Sequence, residues 1–201
     1  MIAIIDYGMG NLRSVQKALA AVGAEGTITA DPDVVRTAAR VILPGVGAFA
    51  DAIAELRRTG LAEAFTEAVT RGVPCMGVCL GLQLLFDGSD EDGDHKGLGL
   101  IPGRIVRFAS QPGLKIPHMG WNTLDLARPT PLFDGLGAAP SVYFVHSYYA
   151  RPDRPEHVLA TSDHGGPFAA AVGRENLLAC QFHPEKSQQA GLTMYANFAR
   201  M

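Results

Sequence analysis

The sequence predicts an α/β fold: an open doubly wound, mostly parallel sheet with helices on both faces, and additional β-strands in the second half. Three observations lead there. Short apolar runs alternate with helix-period patterns through the first half of the chain, and β-α-β-α order of this kind requires crossovers and hence parallel strands. Three of those runs end in glycine-bearing turns, at 6–11, 44–47 and 77–81, the carboxyl ends at which open α/β sheets bind ligands. The second half then changes to strand-like runs with little helical pattern.

Ile2–Ile5 is the first strand, closed by Asp6 and the turn YGMGN. A helix follows with Leu12, Val15, Leu19 and Val22 on one face, Asn11 as N-cap and Gly23 as C-cap. Strands are expected near Thr27–Thr29 and at Val41–Leu43, the latter ending in PGVG. Asp51 is expected to cap a helical region broken near Gly60, whose second part places Leu61, Ala64, Phe65, Ala68 and Val69 on one face and stops at Gly72. The strand Val73–Val78 leads into Cys79 and a helical run, LGLQLLF. Beyond it the expected strands are Leu100–Phe108, Val142–Tyr149, Val158–Thr161, Phe168–Val172 and Leu177–Phe182. The Pro- and Gly-rich stretch Gln111–Pro140 reads as loop, and a closing helix turns Leu192, Tyr195 and Phe198 or Ala199 inward. No repeat or linker divides the chain, so residues 1–201 are expected to form a single domain.

Composition narrows the function. With 201 residues, 47% hydrophobic and 18% charged, the chain can bury a substantial core. A formal net charge of −3 gives no general attraction to nucleic acid or anionic membrane. Three irregularly spaced cysteines, Cys75, Cys79 and Cys180, form no disulfide framework and read as reduced thiols. The N-terminus lacks a basic region and a long apolar stretch, and no apolar run is long enough to cross a bilayer. The expectation is a soluble cytoplasmic protein.

The segment GVCLG has the form of a nucleophile elbow, in which a strand turns sharply into a helix and presents the central side chain. Flanking glycines relieve crowding, the next backbone N–H faces the substrate oxygen, and the helix N-terminus favours a thiolate. Taken alone, GVCLG fits equally a buried inert cysteine whose glycines allow close packing. QFHPEKS supplies a base: on an extended segment His183 and Glu185 point to the same side, so the carboxylate can orient the ring, and Pro184 keeps helix from forming there. Together with an elbow cysteine this favours the catalytic reading. PGVG offers N–H groups with little cover, and those near Val46 and Leu80 could hold an oxyanion.

The remaining candidates are weaker. His146 is either a hydrogen-bonded core residue or a pocket residue; His118, in PHMGWN, lies in a binding or a structural loop; His95, His157 and His164 read as solvated. Cys75, Cys79, Cys180 and His183 could supply four metal ligands, but on a strand Cys180 and His183 diverge, so no metal is expected and Cys75 and Cys180 read as core filler. YGMGN is not a dinucleotide fingerprint.

GVCLGLQ, QFHPEKS and PGVGAF together resemble the class I, triad-type glutamine amidotransferases. IDYGMGNLRSV, PGVG, KIPHMGWN and YFVHSYY are similar to one branch of that family, the glutaminase subunits of imidazole glycerol phosphate synthase. The resemblance runs from Ile4 to Ser187 and implies a flavodoxin-like sheet, glutamine as substrate and no cofactor. It implies Cys79 as nucleophile, His183 as acid/base and Glu185 as its orienter, with oxyanion donors near Val46 and Leu80. It places Gly47, Gln83, Glu91, Ser147 and Tyr148 at the glutamine, the SDE around Glu91 being the weakest match. It further implies a separate cyclase subunit, a (βα)8 barrel receiving ammonia in a heterodimer, with Asn11, Trp121, Tyr143 and Lys186 near the contact, and a glutaminase quiet until that partner binds its ligand. Rival readings are a glutaminase subunit of anthranilate or aminodeoxychorismate type, against which PGVG and PHMGWN argue, and a cysteine hydrolase needing no partner.

Overall fold

The computed structural model describes residues 1–201. The first half contains β1 (Ile2–Ile5), α1 (Leu12–Ala21), β2 (Gly26–Thr29), α2 (Pro32–Thr37), β3 (Arg40–Gly45), α3 (Phe49–Arg58), α4 (Leu61–Thr70), β4 (Cys75–Cys79) and α5 (Leu80–Leu84). The strands β5 (Phe86–Ser89), β6 (His95–Lys96), β7 (Ile101–Arg107), β8 (His118–Thr123), β9 (Asp125–Leu126), β10 (Ser141–His146), β11 (Tyr148–Pro152), β12 (Val158–Asp163), β13 (Pro167–Arg174) and β14 (Leu177–Cys180) follow, and α6 (Gln188–Phe198) closes the chain.

One sheet of 12 strands runs in the order β2-β1-β3-β4-β14-β13-β11-β7-β5-β6, with β12 and β9 branching from β13. Its first five strands are all parallel, and the predicted additional strands extend it mainly by antiparallel pairing. The alternation of each parallel strand sorts its side chains onto two faces. Ala3, Ile5, Val41, Leu43 and Cys75 pack with Phe49, Leu56 and Phe65 of α3 and α4. Ile2, Ile4, Ile42, Met76 and Val78 pack with Val15 and Leu19 of α1 and Met194, Tyr195 and Phe198 of α6. Helices therefore cover both faces, and the central strands β1, β3, β4 and β14 are buried on both sides, while the edge strand β2 is only partly buried.

Several expectations are corrected. The helix expected at Asp51 starts at Phe49, with Ala48 at the cap position and Asp51 in the first turn. Its locally uncapped first amide is met from another part of the chain, as described below. The helix α2 was not expected, although Asp31 caps it through Asp33 N–H and Pro32 occupies its first turn. The run LGLQLLF supplies only five helical residues before Phe86 enters β5. The expected loop Gln111–Pro140 holds β8, β9 and a short 3₁₀ turn at Pro131–Phe133, because β8 gains its order by pairing with β10. The expected strand Val142–Tyr149 is two strands: Ser147 is a bend, β10 pairs with β8 in a separate ribbon, and β11 joins the main sheet. In α6, Leu192 and Ala199 are only partly buried, while Met194 joins Tyr195 and Phe198 inside.

The topology brings the marked turns together. In β3–β4 pairing Gly45 lies opposite Cys79, and on the other side of β4 Cys180 lies opposite Val78. PGVG and QFHPE thus flank the end of β4.

Candidate active site

The bend between β4 and α5 is built from GVCLG. Cys79 sits at φ 55, ψ −111, a conformation that L residues rarely adopt and that marks strain held by the surroundings. A side chain at Gly81 would place Cβ 1.9 Å from the Leu43 carbonyl oxygen, and one at Gly77 would lie 2.8 Å from that of Gly81. The two glycines are therefore demanded by packing, and that packing is what forces the bend.

Cys79 opens into a cavity of about 380 Å³ together with Val46, Gly47, Leu80 and His183. Gln83, Glu91, Ser147 and Tyr148 line the same cavity, as do Pro117, Val145 and His146. Sequence positions 46 to 183 thus converge on one sulfur.

His183 follows β14, and its backbone N–H donates to Tyr143 O at 2.9 Å. The expected extended H-P-E is instead the start of a 3₁₀ turn, Pro184–Lys186, with His183 at its cap. Proline is well placed at the first position of such a turn, where its missing N–H costs nothing. The turn still brings Glu185 back to the ring: Nδ1 donates to Glu185 Oε1 at 2.8 Å, and both side chains are almost fully buried. Nδ1 therefore carries a proton, and Nε2 is buried without a hydrogen-bond partner. Burial alone would lower the pKa of His183, but Cys79 and Glu185 together overcome it and hold the ring up to about 10. Ser187 fixes the turn, its hydroxyl donating to His183 O at 2.6 Å and accepting from Tyr143 N–H at 3.0 Å.

The other predicted contacts are also placed. Glu91 reaches across from the β5–β6 turn, and Oε2 accepts from Phe49 N–H at 2.7 Å, which supplies the amide partner missing at the start of α3. Gln83 donates from Nε2 to Tyr148 O and to Gln181 Oε1, both at 3.1 Å, so its amide nitrogen is committed to the protein. Gln181 was missed by sequence reasoning; it is fully buried and its Nε2 donates to Cys79 Sγ at 3.8 Å. Its signal was a polar residue in an apolar run, two positions before His183.

His146 lies beside the cavity, hydrogen-bonded to His118. His157 is buried rather than solvated, against expectation, whereas His164 is a part-exposed bend residue that stacks on His118 at 4.2 Å between ring centres with Nε2 donating to Lys115 O. His95 is partly exposed on β6. Cys75 and Cys180 fall on opposite faces of the sheet; burial pushes Cys75 up to about 12 and Cys180 well above the usual thiol value. Among the four residues expected near a partner, three cluster: Trp121 meets Tyr143 edge-on at 6.0 Å, and Lys186 Nζ sits 5.9 Å from the Tyr143 ring. Trp121, Met119 and Val46 are exposed. Asn11 stands at the start of α1 without a side-chain cap bond. No helix is long and apolar enough to cross a membrane.

A buried cysteine in a strained elbow, a histidine oriented by a carboxylate, and a glycine loop at the same cavity form an arrangement suited to nucleophilic attack on an amide. Comparison with known proteins agrees with that chemistry. The protein of Syntrophotalea carbinolica named imidazole glycerol phosphate synthase subunit HisH is 54% identical over the full length of both chains. The protein of the same name from Synechococcus elongatus is 54% identical over 98% of this chain and 91% of its own. A crystal structure of a glutamine amidotransferase superposes with a TM-score of 0.78 over all of both chains at 20% identity, a likeness of fold. The family model for class I glutamine amidotransferases matches residues 3–201, and this chain belongs to that family.

Proposed function

We propose that residues 1–201 are one amidotransferase domain acting as the glutaminase subunit of an imidazole glycerol phosphate synthase. The observation that carries this reading is the union of Cys79, His183 with its bonded Glu185, and the PGVG loop at one cavity. The relatives' shared name, and the PHMGWN and VHSYY segments beside that cavity, favour this branch over anthranilate-type subunits.

The Cys79 thiolate attacks the side-chain amide carbon of glutamine, and the carbonyl oxygen becomes an oxyanion facing the N–H groups near Val46 and Leu80. His183, protonated on both nitrogens, gives its Nε2 proton to the leaving nitrogen, so ammonia departs and a glutamyl thioester remains. The neutral ring then takes a proton from water, hydroxide attacks the thioester, and glutamate leaves as the thiolate is restored. Glu185 keeps Nδ1–H oriented throughout. Gly47, Gln83, Glu91, Ser147 and Tyr148 form the walls that hold the amino-acid end of glutamine.

Ammonia is lost to protonation in water unless it is used at once, which calls for an adjoining acceptor site. The (βα)8 cyclase subunit fills that role in this reading, with Trp121, Tyr143, Lys186 and Asn11 near the contact. Glutamine hydrolysis should be measured for the chain alone, with the cyclase subunit, and with cyclase plus its nucleotide ligand. Hydrolysis that appears or rises strongly only in the complex supports the reading. Peptide hydrolysis by the chain alone would overturn it in favour of a cysteine peptidase.

A further inference from the structure

A chain of hydrogen bonds runs from the exposed β8–β10 ribbon to the wall of the cavity, and the structure fixes its direction. Tyr148 O lies 2.8 Å from His146 Nδ1, and a carbonyl can only accept, so Nδ1 carries the hydrogen. In the neutral ring Nε2 is then bare, and at 3.1 Å it accepts from His118 Nδ1–H. His118 Nε2 is bare in turn and accepts from Asn122 Nδ2 at 3.2 Å, whose second hydrogen goes to Asp163 O at 2.8 Å. Asn122 Oδ1 takes Thr123 N–H at 2.9 Å. Every donor in the chain is spent in one sense, and no tautomer is left free.

Burial holds both rings neutral, His118 lowered to about 4 and His146 to about 3. At the far end Tyr148 O also accepts from Gln83, so both of its lone pairs are filled, and the bend at Ser147 between β10 and β11 is clamped from two sides. Asn122 and His118 do not line the cavity. Asn122 belongs to the ribbon that exposes Met119 and Trp121.

We propose that His118 and Asn122 are positioning residues for the glutamine pocket, acting through His146 on the Ser147–Tyr148 wall. This rests on the glutaminase reading above. Asn122→Leu removes the donor to His118 Nε2, so the neutral ring can move its hydrogen to that nitrogen and His146 Nε2 loses its donor. His118→Phe keeps a ring against Phe144 and Phe168 but ends the chain.

The test is the rate of Cys79 modification in the complex with the cyclase subunit and its nucleotide ligand by two probes: 6-diazo-5-oxo-L-norleucine, which has the shape of glutamine, and iodoacetamide, which does not. Each variant should raise the concentration of diazoketone needed for half-maximal modification about fivefold, the worth of one hydrogen bond, with the limiting rate and the iodoacetamide rate unchanged. Unchanged diazoketone saturation in both variants would overturn the proposal. So would equal slowing with both probes, which would make these residues supports of the fold alone. A wild-type complex that reacts with iodoacetamide and not with the diazoketone would instead overturn the glutamine reading itself.

Discussion

His183 and the pair His118 and His146 are buried alike, with 1%, 5% and 6% of their surfaces exposed, yet one is charged and the other two are not. His183 is raised to about 10 and is an imidazolium at neutral pH. The pair is lowered to about 4 and about 3 and is neutral. Burial pushes all three downward; what separates them is the partner. His183 faces Glu185 and Cys79, whereas His146 meets a backbone carbonyl and a second uncharged ring. One histidine is thereby equipped to carry a proton, and the other two to pass on orientation. The side chain alone decides neither role.

The largest expected effect comes from removing the partner. Glu185→Gln leaves the ring its hydrogen-bond acceptor but not its counter-charge, and kcat for glutamine hydrolysis in the complex should fall by roughly 10²- to 10⁴-fold with KM little changed. A KM effect with normal kcat would place Glu185 in binding instead.

Stability should show the same contrast with opposite signs. Because folding raises the His183 pKa from 6.5 to about 10, its stabilising contribution is present in full below pH 6.5 and is lost as pH rises toward 10. The urea midpoint of the wild type should fall across that window, and Glu185→Gln should flatten the fall. For His118 and His146 the folded value lies below 6.5, so the unfolded chain binds protons that the native rings refuse, and stability drops as pH falls from 6.5 toward 3. His118→Phe should therefore gain on the wild type as the solution is acidified over that range. Parallel curves for wild type and variant in either window would remove the charge contrast.

The parallel half of the sheet was legible because each strand is a continuous apolar run whose alternate residues meet different helices, as in IAII and CMGVC. The elbow and the H-P-E segment were legible as motifs only when read together, since a cysteine between glycines fits packing equally well until a histidine with its own carboxylate is found in the same sequence. What was not legible depends on partners far away in the chain. PHMGWN lacks the apolar alternation of a strand and becomes one only against β10. YFVHSYY reads as unbroken, and nothing local announces that Ser147 passes the chain from one sheet to another. Glu91 could be matched to the cavity, but its bond to Phe49 N–H joins residues 42 positions apart. Gln181 and the His118–His146 pairing belong to the same class: their chemistry exists only after the sheet has assembled.

Cys79 is the point on which the reading turns, and the most direct measurement is ammonia release from glutamine by the cyclase-bound complex, wild type against Cys79→Ala. The reading predicts a loss of roughly 10⁴-fold or more, as for removal of the nucleophile in other covalent hydrolases. Undiminished release by Cys79→Ala would contradict it.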